Sequence, residues 1–115
     1  MTIFSAQGYP LNEALIRNYF KTLVNHFFKI IPLREDNEES LPTYMEELQK
    51  ELIGLGELIP GMGEDPDFLS LLSVLQYLIC TPDCKMYEVK RKVFSSITVC
   101  NRMQAKFLTE EVSPQ

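Results

Sequence analysis

Hydrophobic positions along this chain recur at steps of three and four, the spacing that puts side chains on one face of an α-helix. Ile16, Tyr19, Phe20, Leu23, Val24, Phe27, Phe28 and Ile31 hold that spacing over more than four turns. They predict a first helix over about residues 12–30, capped by Asn12, with Leu11 packed on Ile16 as a hydrophobic staple. Pro32 disfavours the helical conformation of Ile31, so the helix is expected to stop there. Leu41, Met45, Leu48, Leu52, Leu55 and Leu58 form a second, narrower stripe and predict a helix over about 42–58. Two starts compete: Ser40 as cap with Pro42 in the first turn, or a Thr43–Glu46 capping box. Gly54 and Gly56 each cost about 1 kcal/mol relative to Ala in a helix interior. The last turn is therefore expected to fray or bend before Ile59-Pro60-Gly61-Met62-Gly63.

The third helix, about 66–80, has Asp65 as N-cap, Pro66 in its first turn and Asp67 near the positive end of its dipole. From Phe68 to Cys80 only Ser70, Ser73, Gln76 and Tyr77 are candidates to face water. A helix apolar nearly all round is expected to be enclosed by its neighbours, which makes it the central element. Thr81-Pro82 ends it and opens a fourth helix over about 83–108. Met86, Val89, Val93, Ile97, Cys100 and Phe107 form its predicted buried face, flanked by Phe94 and Met103, with Arg91, Ser95, Thr98, Arg102 and Lys106 opposite. Residues 1–10 read as an N-terminal arm with turn chemistry at Gly8-Tyr9-Pro10, 11–108 as the helical domain and 109–115 as a flexible tail. No strand of period two and no internal repeat stands out. The predicted class is all-α, a four-helix bundle-like single domain.

Composition agrees with this. A chain of 115 residues suits one domain and buries roughly 65% of its unfolded surface without metal or disulfide staples. The opening residues Met1 to Gly8 have neither a charged leader nor a long apolar core, and the 13-residue run Phe68–Cys80 is too short to span a bilayer. A cytoplasmic protein without a membrane segment is expected, with Cys80, Cys84 and Cys100 as reduced thiols.

Charge is segregated along the chain. Between Glu35 and Asp67 there are 11 acidic residues and one base, Lys50. Between Lys85 and Lys106 the balance reverses: Lys85, Lys90, Arg91, Lys92, Arg102 and Lys106 face only Glu88. Either these charges complement one another within the fold, or they form two poles for head-to-tail assembly or a charged partner.

The side chains that carry chemistry point to no reaction. His26 is the only histidine, which removes most triads and multi-histidine metal sites, and it reads as a hydrogen-bonded helix residue. Cys80-x-x-x-Cys84 lacks further ligands at zinc spacing and is broken by Pro82. The carboxylates sit in an acidic loop or on exposed faces, and Gly61-x-Gly63 follows a helix without the Lys-Ser/Thr of a phosphate loop. No catalytic, cofactor-binding or metal-binding residue is therefore assigned. The turn at Thr81–Asp83 followed by Lys85, Lys90, Arg91 and Lys92 also fits a helix-turn-helix, although the net charge of −5 and the length of the fourth helix argue against DNA.

Leu15-Ile16-Arg17-Asn18-Tyr19-Phe20-Lys21, Ile31-Pro32-Leu33-Arg34-Glu35, Leu71-Leu72-Ser73-Val74-Leu75-Gln76-Tyr77-Leu78 and the stretch from Val93 to Lys106 resemble small uncharacterised helical proteins of Gram-positive gut bacteria, their prophages and other mobile elements. The resemblance spans about residues 12–107 and implies an accessory or assembly role, with no activity attached.

The leading expectation is a non-enzymatic interaction module that binds a protein partner or a second copy of itself as a homo-oligomer. Lys90, Arg91, Arg102 and Lys106 form one candidate contact surface, and Glu46, Glu47 and Glu51 the other. The alternatives are a nucleic-acid-binding regulator using the fourth helix and an enzyme with an unrecognised pocket. Denaturant titration tests the assignment of faces: Leu75→Asp should lower stability by several kcal/mol through an unpaired buried carboxylate, and Glu47→Ala by less than about 0.5 kcal/mol.

Overall fold

Each helix carries one apolar stripe, and the four stripes meet in a common core. In the computed structural model residues 2–4 and 10–108 are described, with side chains over 14–106. The helices are α1 (Glu13–Glu35), α2 (Leu41–Leu58), α3 (Pro66–Cys80) and α4 (Met86–Leu108). Two three-residue strands, β1 (Thr2–Phe4) and β2 (Pro10–Asn12), pair antiparallel ahead of α1 and bring strand structure into part of the expected arm. The fold is all-α, a four-helix bundle in a single domain. The side chains of Leu11, Asn12 and Phe107, on which the expected cap, staple and last buried position rest, and the 109–115 tail lie outside what the structure describes.

Side-chain contacts fix the direction of every helix. His26 of α1 reaches Glu51 of α2, Gln49 of α2 reaches Gln76 of α3, Asp67 of α3 reaches Arg102 of α4, and Glu35 of α1 reaches Lys90 of α4. Phe28 and Phe94 also meet between α1 and α4. Positions rise along one helix as they fall along its neighbour, so the topology is up-down-up-down.

Buried residues fall at 16, 20, 23, 27 and 30 on α1, at 41, 45, 48, 52 and 55 on α2, and at 89, 93, 96, 100 and 103 on α4. This alternation of four and three averages 3.5 residues, the repeat that keeps a seam facing its partner in shallow-angle bundles. Fully burying a Leu, Ile or Phe contributes about 1.5–3 kcal/mol, and Phe20, Phe27, Leu52, Leu71 and Leu75 are among those closed to solvent. Ser96 is the buried polar residue of this core, and its hydroxyl donates to the Lys92 carbonyl at 2.9 Å. That local bond removes the cost of an unsatisfied donor.

Several sequence expectations are corrected by tertiary contacts. Pro32 does not stop α1, which continues to Glu35. Pro32 is exposed, on the side where freed carbonyls can turn towards water. The turn beyond it closes as a Schellman motif: Glu38 N donates to Leu33 O and Asn37 N to Arg34 O, with Asn37 at φ 52°. The acidic 35–39 segment thus contains a specific helix stop.

Ser40 does precede α2 and Pro42 lies in its first turn, but Ser40 has helical dihedrals and no side-chain capping bond, and Thr43 is inside the helix. On α4 the first turn begins three residues later than expected. Lys85 O accepts from both Glu88 N and Val89 N, while Cys84 N donates to Thr81 O in the preceding turn.

Helix α3 starts as predicted, with the Asp65 carboxylate accepting from Asp67 N and Phe68 N. It is not enclosed. Only Phe68, Leu71, Leu75 and Leu78 are buried, and Leu69 is 47% exposed. The most extensive helix pair is instead α1 with α4. On those helices Phe28 and Phe94 face outward, Ile30 and Val99 are buried, and Ile97 is half-buried.

The two helical glycines of α2 differ in their surroundings. A Cβ on Gly54 would enter open space, whereas one on Gly56 would lie 2.5 Å from Phe68 Cζ. Gly63, in the 3-10 turn Met62–Glu64, sits against the Gly56 carbonyl in turn, where its own Cβ would be 3.2 Å away. Gly56 therefore permits the close approach of α2, this turn and α3, and helix α2 runs on past both glycines to Leu58. In thermal or urea unfolding, Gly54→Ala should raise stability by about 0.5–1 kcal/mol. Gly56→Ala should lower it by about 1–3 kcal/mol through overpacking against Phe68.

Candidate interaction surfaces

The basic residues of α4 divide between its two flanks. Arg102 and Lys106 face the start of α3, where Arg102 makes a bidentate pair with Asp67 (Nη2–Oδ1 2.8 Å, Nε–Oδ2 3.0 Å). Lys106 reaches Asp65 at 2.5 Å and Asp67 at 3.1 Å. Lys90, on the opposite flank, pairs with Glu35 at 3.6 Å, and Arg91 with Glu88 at 3.6 Å. Lys92 lies over the Tyr77 ring at 4.4 Å. Each of these cations has a partner within the chain, and three of the carboxylates involved come from the acidic 35–67 segment. The same pairing weighs against the helix-turn-helix reading, because Lys90, Arg91 and Lys92 share part of their charge with groups of the chain.

The acidic candidates separate as well. Glu51 accepts from His26 Nδ1 at 3.0 Å, beside the Tyr44 hydroxyl, which donates to the His26 carbonyl at 2.9 Å. This cluster ties α1 to α2. Burial first, and the nearby Glu51 charge second, push the Tyr44 phenol up. Glu47 lies 4.0 Å from Lys50 one turn on, and Glu46 is exposed. The seven candidate residues therefore do not form two continuous patches.

Two seams on opposite sides of the bundle combine exposure with a coherent character. Along the α1/α4 seam, Phe28 (44% exposed) and Phe94 (50% exposed) stack edge to face with ring centroids 5.7 Å apart. Half-buried Val24, Ile31 and Ile97 flank them, Tyr87 lies two turns before Phe94, and Lys21, Lys90 and Arg91 supply the rim. Gln49 and Gln76 mark the α2/α3 seam, where exposed Ile53 and Leu69 flank half-buried Leu72. Glu46, Lys50 and Glu57 are the exposed charges of α2 beside it. Periodicity alone places Phe28 on a buried face. The signal that separates it is the alternation of four and three through Ile16, Phe20, Leu23, Phe27 and Ile30, which leaves Phe28 off the stripe.

The cysteines are free. Burial drives the Cys100 thiol up to about 12, and burial followed by the Glu88 charge raises Cys84. Neither is an activated nucleophile. Cys80 is exposed, and its Sγ accepts from Gln76 Nε2 at 3.1 Å. Among the described residues no group of three or more His, Cys, Asp or Glu side chains is arranged to hold a metal ion, and no helix is long and apolar enough to cross a membrane. A half-open cavity of about 260 Å³ lies at the end of the bundle where α1 meets α2 and α3 meets α4.

Compared with family models, curated proteins and solved structures, the chain matches none of them. The fold therefore defines a class, the up-down four-helix bundle, and the reading of function rests on the surfaces themselves.

The Asp65/Asp67–Arg102/Lys106 cluster sets an acid limit on stability. The Arg102 hydrogen bond, aided by Lys106, holds the Asp67 carboxyl at about 2, below its ordinary value of 3.8. A carboxyl depressed in the folded state stabilises above its unfolded pKa, and that contribution disappears as pH falls through the folded one. Denaturation curves should show stability declining from about pH 4 to about pH 2, and Asp67→Asn should flatten that part of the profile.

Proposed function

We propose that this protein is a non-enzymatic assembly module whose first partner is another copy of the same chain. The α1/α4 seam of one copy docks on the α2/α3 seam of the next. The observation that carries this reading is the pair of opposed seams, each with an exposed apolar centre, one rimmed by Lys21, Lys90 and Arg91 against Glu35 and Glu88, the other by Glu46 and Glu57 against Lys50. Apolar contact supplies affinity, and the excess of base on one rim and of acid on the other favours this register over wrong ones.

The α1/α4 pair is about 35 Å long but the α2/α3 pair only about 25 Å, so at about 20 Å width the shared face is about 500 Å² per partner, the size of a weak, concentration-dependent contact below the about 800 Å² of a stable interface. Contact between different faces is heterologous, so copies add front to back and form open chains unless the rotation closes a ring. Lys90, Arg91 and Glu46 belong to this interface. Arg102, Lys106 and Glu51 lie on other flanks, in pairs with Asp67, Asp65 and His26. An accessory or assembly role of this kind also accords with the resemblance to small helical proteins of mobile elements.

Light scattering after gel filtration tests the reading. At low salt the mass should rise above 13.3 kDa with concentration, and 0.5 M NaCl should shift it back. Phe94→Glu, at an exposed position, should give a monomer with an unchanged far-ultraviolet spectrum. A constant monomer mass at low salt across a wide concentration range would exclude self-association.

A further inference from the structure

The cavity at the end of the bundle has features that charge complementarity between copies does not use. Its floor is apolar: Ile30, Leu41, Met45, Leu78, Cys84 and Val89 are all buried, and they come from all four helices and the α3–α4 turn. Its mouth is polar and carries the half-buried Arg34, with exposed Asn37 and Glu38 on the turn beside it. The Cys84 thiol is raised by burial, so it lines the floor as a neutral, apolar group.

Arg34 is held in place by its ends. It lies in the last turn of α1, closed by the Asn37 Schellman motif, and its Nη2 donates to the Cys84 carbonyl at 2.6 Å. A guanidinium has five N–H donors, and this bond uses one of them. Among the described residues no carboxylate lies within 4.0 Å of it, in contrast to Arg91 and Arg102. Glu38 also lines the mouth, and it is solvent-exposed.

We infer that this cavity binds a medium-chain carboxylate, with the alkyl chain on the floor and the carboxylate on Arg34. Apolar cavities of about 150 Å³ in other helical proteins take up benzene, and the about 260 Å³ here admits a longer flexible chain. Small-molecule sites combine mostly apolar walls with a few placed polar groups, and this cavity has that composition. An arginine accepts a carboxylate through two parallel N–H···O bonds.

Isothermal titration of the full chain with decanoate and with 1-decanol separates the two parts of the site. Both ligands should bind, decanoate at least tenfold more tightly. Arg34→Gln should weaken decanoate at least tenfold and decanol less than twofold. Ile79→Trp, which fills the cavity from a half-buried wall position, should abolish binding of both while circular dichroism remains helical. Should Ile79→Trp fail to fold, shifts of the Ile30 and Met45 methyl signals in the NMR spectrum of the unaltered chain on adding decanoate locate the bound chain independently. No heat with decanoate at 1 mM, or unmoved Ile30 and Met45 methyl signals at saturation, would overturn the site. Equal losses of decanoate and decanol in Arg34→Gln would overturn the role of Arg34.

Discussion

The alternating four-three stripe on each helix is the constraint on which the bundle depends. It keeps each helix facing the same neighbours over its length, so Phe20, Phe27, Leu52, Leu75 and Val93 close the interior. Because the stripe is narrow, every helix has two flanks available for other contacts. Those flanks carry the ion pairs, the amide and phenol hydrogen bonds, and the two exposed seams. A wider apolar face would have buried Phe28 and Phe94, which instead meet at the surface.

Electrostatics here is chiefly a matter of pairing between elements distant in sequence. Asp65 and Asp67 cap and charge the start of α3, then receive Arg102 and Lys106 from the far end of α4. The two carboxylates therefore satisfy a helix terminus and hold a neighbouring helix in register. At the opposite end Arg34 bonds to a carbonyl of the α3–α4 turn and Lys90 pairs with Glu35. Exposed pairs of this kind are individually weak, and their value lies in specifying one antiparallel arrangement.

Much of the fold was legible in the sequence because local physics wrote it. The spacing of apolar residues gave four helices, and Asp65-Pro66 placed the start of α3. Elsewhere local rules were overruled by contacts. Pro32 reads as a stop, yet the Asn37 turn and the Arg34–Cys84 bond hold a further turn of helix. Gly54 and Gly56 read alike, although only Gly56 lies beneath Phe68. The apolar run Phe68–Cys80 reads as a central rod, but a bundle of four helices offers each member only two neighbours, and Leu69 remains open to water. The candidate charges were visible as a list of residues. Their division into paired and rim groups was not, because it depends on which flanks meet.

The sequence by itself determined the class of structure, the helix count and the segregation of acid from base, since each follows from spacing and composition over short stretches. Tertiary structure alone decided which charges neutralise one another, which aromatics stay exposed, and that the four helix ends leave an apolar cavity beside Arg34. Those outcomes require residues from opposite ends of the chain to meet, and the pattern within any one helix says nothing about its neighbours.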